Sequence, residues 1–173
     1  MTWQLPKAMD YAARAHANQR RKYTEEPYIN HPIEVALLVS QTEYTHDMLC
    51  AAVLHDVVED TLTTIQDIER EFGLSVSMLV WWLTDLSTPS DGNRAARKKI
   101  DRDHIAQAPD DAKTIKLADL ISNTRTIAKF DPGFAKVYMG EKRLLLPVLV
   151  GGDEKLWDMA YGLVRDYYAI QEG

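Results

Sequence analysis

Apolar side chains recur every three or four residues along most of this chain, and that spacing is the period of an α-helix. Residues 5–18 follow it with one apolar face. Residues 46–58 and 74–86 are strongly apolar, which predicts buried helices. No convincing alternation of apolar and polar residues, the mark of a half-buried strand, is present. The pattern therefore predicts an all-α fold.

Residues that start and stop helices place several boundaries. Pro32 suits the first position of a helix, and the proline biases His31 away from helical dihedral angles. Thr64 and Asp67 have the spacing of a capping box. Gly73 would end the helix that this box begins.

Polar stretches that contain Pro or Gly predict loops at residues 19–30 and 87–93. Pro147 weakens the end of the helix in which it lies. Four more helices are expected in the second half of the chain, over residues 94–107, 110–129, 134–149 and 153–170.

The composition is that of an ordinary globular protein, with 173 residues, 46% of them hydrophobic and 27% charged. This length suits a single domain over residues 1–173. No apolar run reaches the roughly 18–20 residues that a membrane span needs, and residues 1–6 lack the features of a signal peptide. Cys50 is the only cysteine, which excludes an internal disulfide, and it lies in an apolar run expected in the core. We therefore expect a cytoplasmic protein with no membrane partner.

The net charge is −6, which argues against broad binding of nucleic acid. The cations are nevertheless concentrated in two places. Such clusters are either solvated helix faces or the binding site of a local anionic ligand. They are Arg20, Arg21 and Lys22, and then Arg94, Arg97, Lys98, Lys99 and Arg102.

The segment from His55 to Asp60 carries four ionisable side chains at the end of an apolar helix. His55 and Glu59 are four residues apart, as are Asp56 and Asp60, so both pairs stack on adjacent helical turns. Buried carboxylates cost several kcal/mol unless they are paired or bind a cation. Imidazole and carboxylate ligands suit Mn²⁺ or Fe²⁺. The alternative is a helix end that turns polar as it reaches the surface.

A second polar feature lies on the helix predicted over residues 110–129. Lys116, Asp119, Asn123 and Thr126 span only about 80° of its circumference, and apolar residues flank them. Such a narrow stripe indicates a pocket, although an ordinary exposed face has the same spacing.

The order His31, then His55-Asp56, then Asp119 resembles the signature of the HD phosphohydrolase superfamily. The surrounding residues resemble its alarmone hydrolase branch more specifically, which comprises the hydrolase domain of RelA/SpoT proteins and small stand-alone relatives, including the metazoan SpoT homologue. The resembling segments are residues 19–22, 27–32, 55–61 and 116–123, and the resemblance covers roughly residues 4–150.

The resemblance implies an HD-domain helical bundle of about eight to ten helices and assigns roles by position. The ligands of one Mn²⁺, or of another divalent transition metal, would be His31, His55, Asp56 and Asp119. The catalytic pair that handles the attacking water would be Glu59 and Asp60. The residues that bind substrate would be Arg21, Lys22, Arg94, Lys98, Asn123, Thr126 and Tyr138.

The implied reaction is hydrolysis of the 3′-pyrophosphate of guanosine alarmones, from (p)ppGpp to GDP or GTP plus pyrophosphate. The basic clusters would offset the negative charge that the acidic site presents to a polyphosphate. The alternatives are the same chemistry on (p)ppApp or on the 2′-phosphate of NADPH, and a non-catalytic nucleotide-binding regulator. The oligomeric state is not indicated.

Two departures from the family concern the substrate rather than the reaction. The loop at residues 23–26 is one residue longer than in the long bifunctional proteins and lacks their glycine. Phe134 replaces an arginine that some relatives carry four residues before the tyrosine.

Overall fold

The structure, a computed structural model, describes residues 4–171. Residues 1–3, part of the N-terminal stretch in which no signal peptide is expected, lie outside this range. It contains ten α-helices and two short 3₁₀ helices in this range. The α-helices are α1 (Gln4–Ala15), α2 (Asn30–Val39), α3 (His46–Leu54), α4 (Val57–Asp60), α5 (Ile65–Phe72), α6 (Leu74–Leu83), α7 (Arg94–Ala106), α8 (Asp110–Phe130), α9 (Pro132–Leu145) and α10 (Glu154–Gln171).

The all-α prediction is confirmed, since residues 4–171 contain no strand and only isolated bridges. The 3₁₀ helices are Pro89–Asp91 and Leu146–Leu149, and the second one contains Pro147 where the sequence predicts a weakened helix end. Within the described range, no helix combines the length and the apolar character needed to cross a bilayer.

The chain divides into two compact units, and the division falls between Thr84 and Asp85. In the first unit, α3 packs against α1, α2 and α6. Every α3 residue from Met48 to Leu54 is buried, because this helix is apolar on all sides. Cys50 lies in this core as predicted, and its burial raises the pKa of the thiol to about 11.

The capping box at Thr64 and Asp67 begins α5 as predicted, with the Thr64 hydroxyl accepting a hydrogen bond from the Asp67 amide. Gly73 ends α5 with a φ of +88°, a conformation that residues with a Cβ rarely adopt. The α6 helix follows directly. The second unit is built mainly on α8, which packs against both α9 and α10.

Several predicted boundaries are wrong: α1 and α6 end about three residues early, and two further differences concern the histidines. The helix expected over residues 46–58 stops at Leu54, and His55 and Asp56 form a turn before the short α4 helix. His31 is helical despite the proline that follows it, because α2 already begins at Asn30. Pro32 is therefore the third residue of α2, where its missing N–H would have no partner within the helix in any case.

Candidate metal and phosphoryl-transfer site

Three of the predicted metal ligands meet in the first unit. His31 lies in the first turn of α2, whereas His55 and Asp56 form the turn between α3 and α4. One ligand atom from each residue can be chosen so that all three lie within 4.8 Å of one another. Oδ2 of Asp56 is 3.1 Å from Nε2 of His55 and 3.5 Å from Nε2 of His31.

The break between α3 and α4 allows His55 to point inward from a buried helix end. Its side chain is 1% exposed, and its Nδ1 lies 2.8 Å from the carbonyl oxygen of Ala52. A carbonyl can only accept a hydrogen bond, so Nδ1 carries the proton. In the neutral imidazole, Nε2 then has a lone pair directed towards Asp56.

This arrangement fits a metal ion. A nitrogen lone pair and a carboxylate oxygen 3.1 Å apart repel each other, and a cation bound by both removes the repulsion. A hydrogen bond from the second ring nitrogen to a carbonyl is the usual support of a metal-binding histidine. The donor set of two imidazoles and one carboxylate suits divalent transition metals.

Tyr28 supports the same site, although its place in the sequence gives no sign of this role. Its hydroxyl donates a 2.6 Å hydrogen bond to Oδ2 of Asp56, and its ring lies against the rings of His16 and His31. The amide of Tyr28 donates to the carbonyl of Gln19, which fixes the loop that carries it. The position of Tyr28 therefore orients Asp56.

The predicted catalytic pair, Glu59 and Asp60, lies on α4 with both side chains exposed. The amide of Asp60 donates to the carbonyl of Asp56 at 2.9 Å, so one helical turn separates the acid from the metal ligand. Partial desolvation of its carboxyl group and then the negative charge of Asp56 raise the pKa of Asp60, although the nearby Tyr28 opposes that rise.

Asp60 also borders open space. A cleft of about 620 Å³ lies beside it, lined among others by Tyr11, Gln19 and Thr63. The side-chain amide of Gln19 donates to the carbonyl of Asp60 at 2.8 Å, and Oε1 of Gln19 lies 2.7 Å from Nδ1 of the buried His16. Asp60 is thus held at the edge of this open cleft.

Arg21 and Lys22, predicted to bind substrate, lie in the loop after α1. The amide of Arg21 donates to the carbonyl of Glu26 at 2.8 Å, which closes the loop. The ammonium of Lys22 donates to the hydroxyl of Tyr23 and lies 4.8 Å from the centre of its ring. The loop is ordered by its own contacts, and Glu25 adopts a positive φ of 57° there.

The remaining predicted site residues all lie in the second unit. Asp119 is buried in the middle of α8, with 8% of its surface exposed. It accepts a 2.6 Å hydrogen bond from the side-chain amide of Asn123 and forms a 3.1 Å ion pair with Lys116. Three members of the predicted polar stripe of α8 therefore bond to one another. That Asp119 also binds the metal stays a prediction.

Thr126 and Tyr138 complete the predicted nucleotide-contacting set. The hydroxyl of Thr126 donates to the carbonyl of Ser122 one turn earlier on α8. Tyr138, on α9, is 6% exposed, and the hydroxyl of Thr124 lies 3.5 Å from its own. Burial raises the pKa of Tyr138 well above its ordinary value, so this residue can offer only a neutral hydroxyl.

The basic cluster of α7 is extensively ion-paired. Arg94 donates to Glu141 through two nitrogens at 2.5 and 3.0 Å, and its guanidinium lies 5.1 Å from the centre of the Phe134 ring. Lys98 pairs with Asp85 and Asp101. Both cations therefore already form ion pairs within the second unit. A phosphate bound to either cation would have to share it with the carboxylate or displace that carboxylate.

Comparisons with known proteins identify the family of this chain. The model of the HD domain family matches residues 8–139. The guanosine-3′,5′-bis(diphosphate) 3′-pyrophosphohydrolase MESH1 of Homo sapiens is 42% identical over 132 residues, which cover 75% of this chain and 72% of that protein. The bifunctional (p)ppGpp synthase/hydrolase SpoT of Escherichia coli is 37% identical over 131 residues, 74% of this chain and 18% of SpoT.

A solved structure, described as a metazoan orthologue of SpoT that hydrolyses ppGpp, has a TM-score of 0.86 and 31% sequence identity to this chain and covers 96% of both chains. The Listeria monocytogenes protein lmo0812 has a TM-score of 0.68 at 23% identity, covering 84% of this chain and 99% of its own, and this likeness concerns the fold alone. These similarities confirm the HD-domain fold class predicted from the sequence.

Proposed function

The chain belongs to the HD-domain family and, within it, to the hydrolases that include MESH1 and SpoT; from this premise we propose that it hydrolyses the 3′-pyrophosphate of guanosine alarmones. The products are GDP from ppGpp or GTP from pppGpp, together with pyrophosphate. The observation that carries the proposal is the convergence of His31, His55 and Asp56 one helical turn from Glu59 and Asp60.

We propose Mn²⁺ as the metal, with other divalent transition metals as possible replacements. His31, His55 and Asp56 would hold it, and Asp119 remains the predicted fourth ligand. When bound, such an ion lowers the pKa of water and stabilises the charge that develops on the phosphoryl oxygens.

The residues of the chain would perform the remaining steps. Glu59 and Asp60 orient the attacking water, and one of these carboxylates takes a proton from it. The water oxygen forms a bond to the phosphorus attached to the ribose, the bond from that phosphorus to O3′ breaks, and O3′ takes up a proton. Tyr28 keeps the Asp56 carboxylate in place throughout, since its hydroxyl donates to Oδ2.

Substrate recognition is proposed for the residues to which the sequence assigns it. Cations would make charge-assisted hydrogen bonds to phosphates, and the polar groups of α8 and α9 would contact the nucleoside. The proposed residues are Arg21, Lys22, Arg94, Lys98, Asn123, Thr126 and Tyr138. The substrate is thus a small nucleotide and not a nucleic acid, and the cytoplasmic location stays a prediction from the sequence.

One experiment tests the substrate. The protein is incubated with Mn²⁺ and, in parallel, with ppGpp, ppApp or NADPH, and the products are identified by ion-exchange chromatography. Pyrophosphate and GDP from ppGpp, at a higher rate than from the other two, support the proposal. Turnover of ppApp or NADPH with ppGpp left intact would assign the site to another substrate, and binding of ppGpp without turnover would make the protein a regulator.

A further inference from the structure

Lys142 is a half-buried lysine on α9, one helical turn after Tyr138. Its ammonium lies 4.4 Å from the centre of the Tyr138 ring. Across residues 4–171, no carboxylate forms an ion pair with this ammonium. Its position distinguishes it from the other cations of this region, since Lys98 and Arg94 are both bound to carboxylates.

The carboxylates near Lys142 are engaged by other cations. Glu141, its neighbour on α9, accepts both hydrogen bonds from Arg94. Asp119 on α8 pairs with Lys116 and also accepts from Asn123. Both carboxylates are therefore already bound to other side chains.

The surroundings of Lys142 disfavour its charge. Burial, followed by repulsion from Lys116 and Lys98, lowers its pKa to about 8, although Asp119 and Glu141 act in the opposite direction. A group with this pKa is still roughly nine-tenths protonated at pH 7. At neutral pH the site thus holds a half-buried cation that Lys116 and Lys98 repel, and an anion bound to it would offset that repulsion.

We propose that Lys142, which lies over the Tyr138 ring without a carboxylate partner among the described residues, binds a phosphate group of the substrate. The inference rests on the proposed function for the identity of that substrate. A lysine ammonium has three donors, and the Tyr138 ring covers one side of it, so donors remain for phosphate oxygens. This adds a cation on α9 to the binding residues that the sequence predicts.

The first test uses inorganic pyrophosphate as the probe and metal-free wild-type protein in a chelator, so that no turnover occurs. Amines are acylated with an N-hydroxysuccinimide ester at pH 8, and the modified lysines are quantified by mass spectrometry. Lys136, exposed on the same helix, is the internal control. Pyrophosphate is expected to protect Lys142 several-fold and Lys136 not at all, and equal labelling of Lys142 with and without the probe would overturn the proposal.

The second test compares Lys142→Met with Lys136→Met in the Mn²⁺-loaded protein. Loss of one charge-assisted bond to phosphate is expected to raise KM for ppGpp about tenfold in Lys142→Met, with kcat within about threefold. The Lys136→Met control removes the same charge and should keep both constants. An unchanged KM in Lys142→Met would reduce Lys142 to a packing contact with Tyr138.

A pH series gives a signature that packing alone would not produce. Between pH 7.5 and 9, the KM of the wild type should rise as Lys142 loses its proton, because burial and the charges of Lys116, Asp119, Lys98 and Glu141 together set its pKa at about 8. Lys142→Arg, which stays charged, should keep a low and flat KM. If the Arg variant follows the wild type instead, Lys142 is not the titrating group and the proposal fails.

The two proposals can fail separately. Protection of Lys142 by pyrophosphate, in a protein that does not hydrolyse ppGpp, would keep the anion site and overturn the proposed substrate. Hydrolysis of ppGpp with unchanged KM and kcat in Lys142→Met would keep the proposed substrate and overturn the anion site.

Discussion

The hydroxyl of Tyr28 donates a 2.6 Å hydrogen bond to Oδ2 of Asp56, the same oxygen that faces Nε2 of both His31 and His55. The ring of Tyr28 also lies 5.9 Å from the ring of His31, so this residue contacts two members of the candidate metal site. It is a positioning residue, which acts on the reaction through the carboxylate that it orients.

Tyr28→Phe should weaken metal binding without unfolding the protein. Removing a hydrogen bond that orients a ligand costs about 10- to 100-fold in metal affinity or activity. The change is measured as the Kd for Mn²⁺ in a calorimetric titration. Tyr44→Phe, which alters an exposed tyrosine of the same unit, is the control and should bind Mn²⁺ as the wild type does. Equal affinities in Tyr28→Phe and Tyr44→Phe would exclude the positioning role.

Two substitutions should separate metal binding from turnover. Asp56→Ala removes the carboxylate that both imidazoles face, and we expect bound Mn²⁺ to be lost after dialysis together with all activity. Glu59→Gln should retain one Mn²⁺ and lose at least about 100-fold in kcat, since general-base assistance is worth about that factor or more. Metal content is measured by inductively coupled plasma spectrometry. Full activity in either variant contradicts its assigned role.

Removing the metal should destabilise the protein. An ion that binds only the folded state at 100 times its Kd adds about 2.7 kcal/mol, which corresponds to about 5–10 °C in Tm for a chain of this size. Differential scanning calorimetry with Mn²⁺ and with a chelator measures the difference. Asp56→Ala should show no such difference, and an equal shift in both proteins would place the ion elsewhere.

The capping box of α5 offers a test that is independent of the site. Thr64→Ala should destabilise the protein by about 1 kcal/mol, because the Asp67 amide loses its acceptor. Urea denaturation measures this, and Ser75→Ala, an exposed position of α6, should change stability by less than about 0.5 kcal/mol. Similar losses in both variants would show that the cap is not the cause.

The same box predicts a pH dependence. Hydrogen bonds from the side chain and backbone of Thr64 lower the pKa of Asp67 to about 2, below the ordinary 3.8. A lowered folded-state pKa means that this contribution to stability is complete above about pH 4 and is lost as the pH falls towards 2. In Thr64→Ala, carbon-13 NMR should find the Asp67 pKa raised towards its ordinary value, and a value still near 2 would contradict this cause.

Much of the fold could be predicted because its determinants are local. The all-α class follows from a period that each helix repeats, and the Thr64 cap and the Gly73 stop depend on residues three to nine positions apart. The break after Leu54 could not be predicted in this way. His55 and Asp56 have helical dihedral angles. The apolar and polar residues around them would have the same spacing if the helix continued without a break.

The sequence predicts which residues belong to the candidate site, but it does not predict how they are arranged in space. The meeting of His31 with His55 and Asp56 depends on how α2 packs against α3, which no local pattern encodes. The roles of Tyr28 and Lys142 could not be predicted from the sequence for the same reason. Their importance comes from one hydrogen bond and one missing ion pair, both of which involve contacts that appear only in the folded chain.

The central claim is that water attacks the phosphorus next to O3′ of a guanosine 3′-pyrophosphate. It is tested most directly by one turnover of ppGpp in water enriched in oxygen-18, with Mn²⁺ present and the products weighed by mass spectrometry. We predict one oxygen-18 atom in pyrophosphate and none in GDP. Label in GDP, release of single phosphate, or no conversion of ppGpp would contradict the claim.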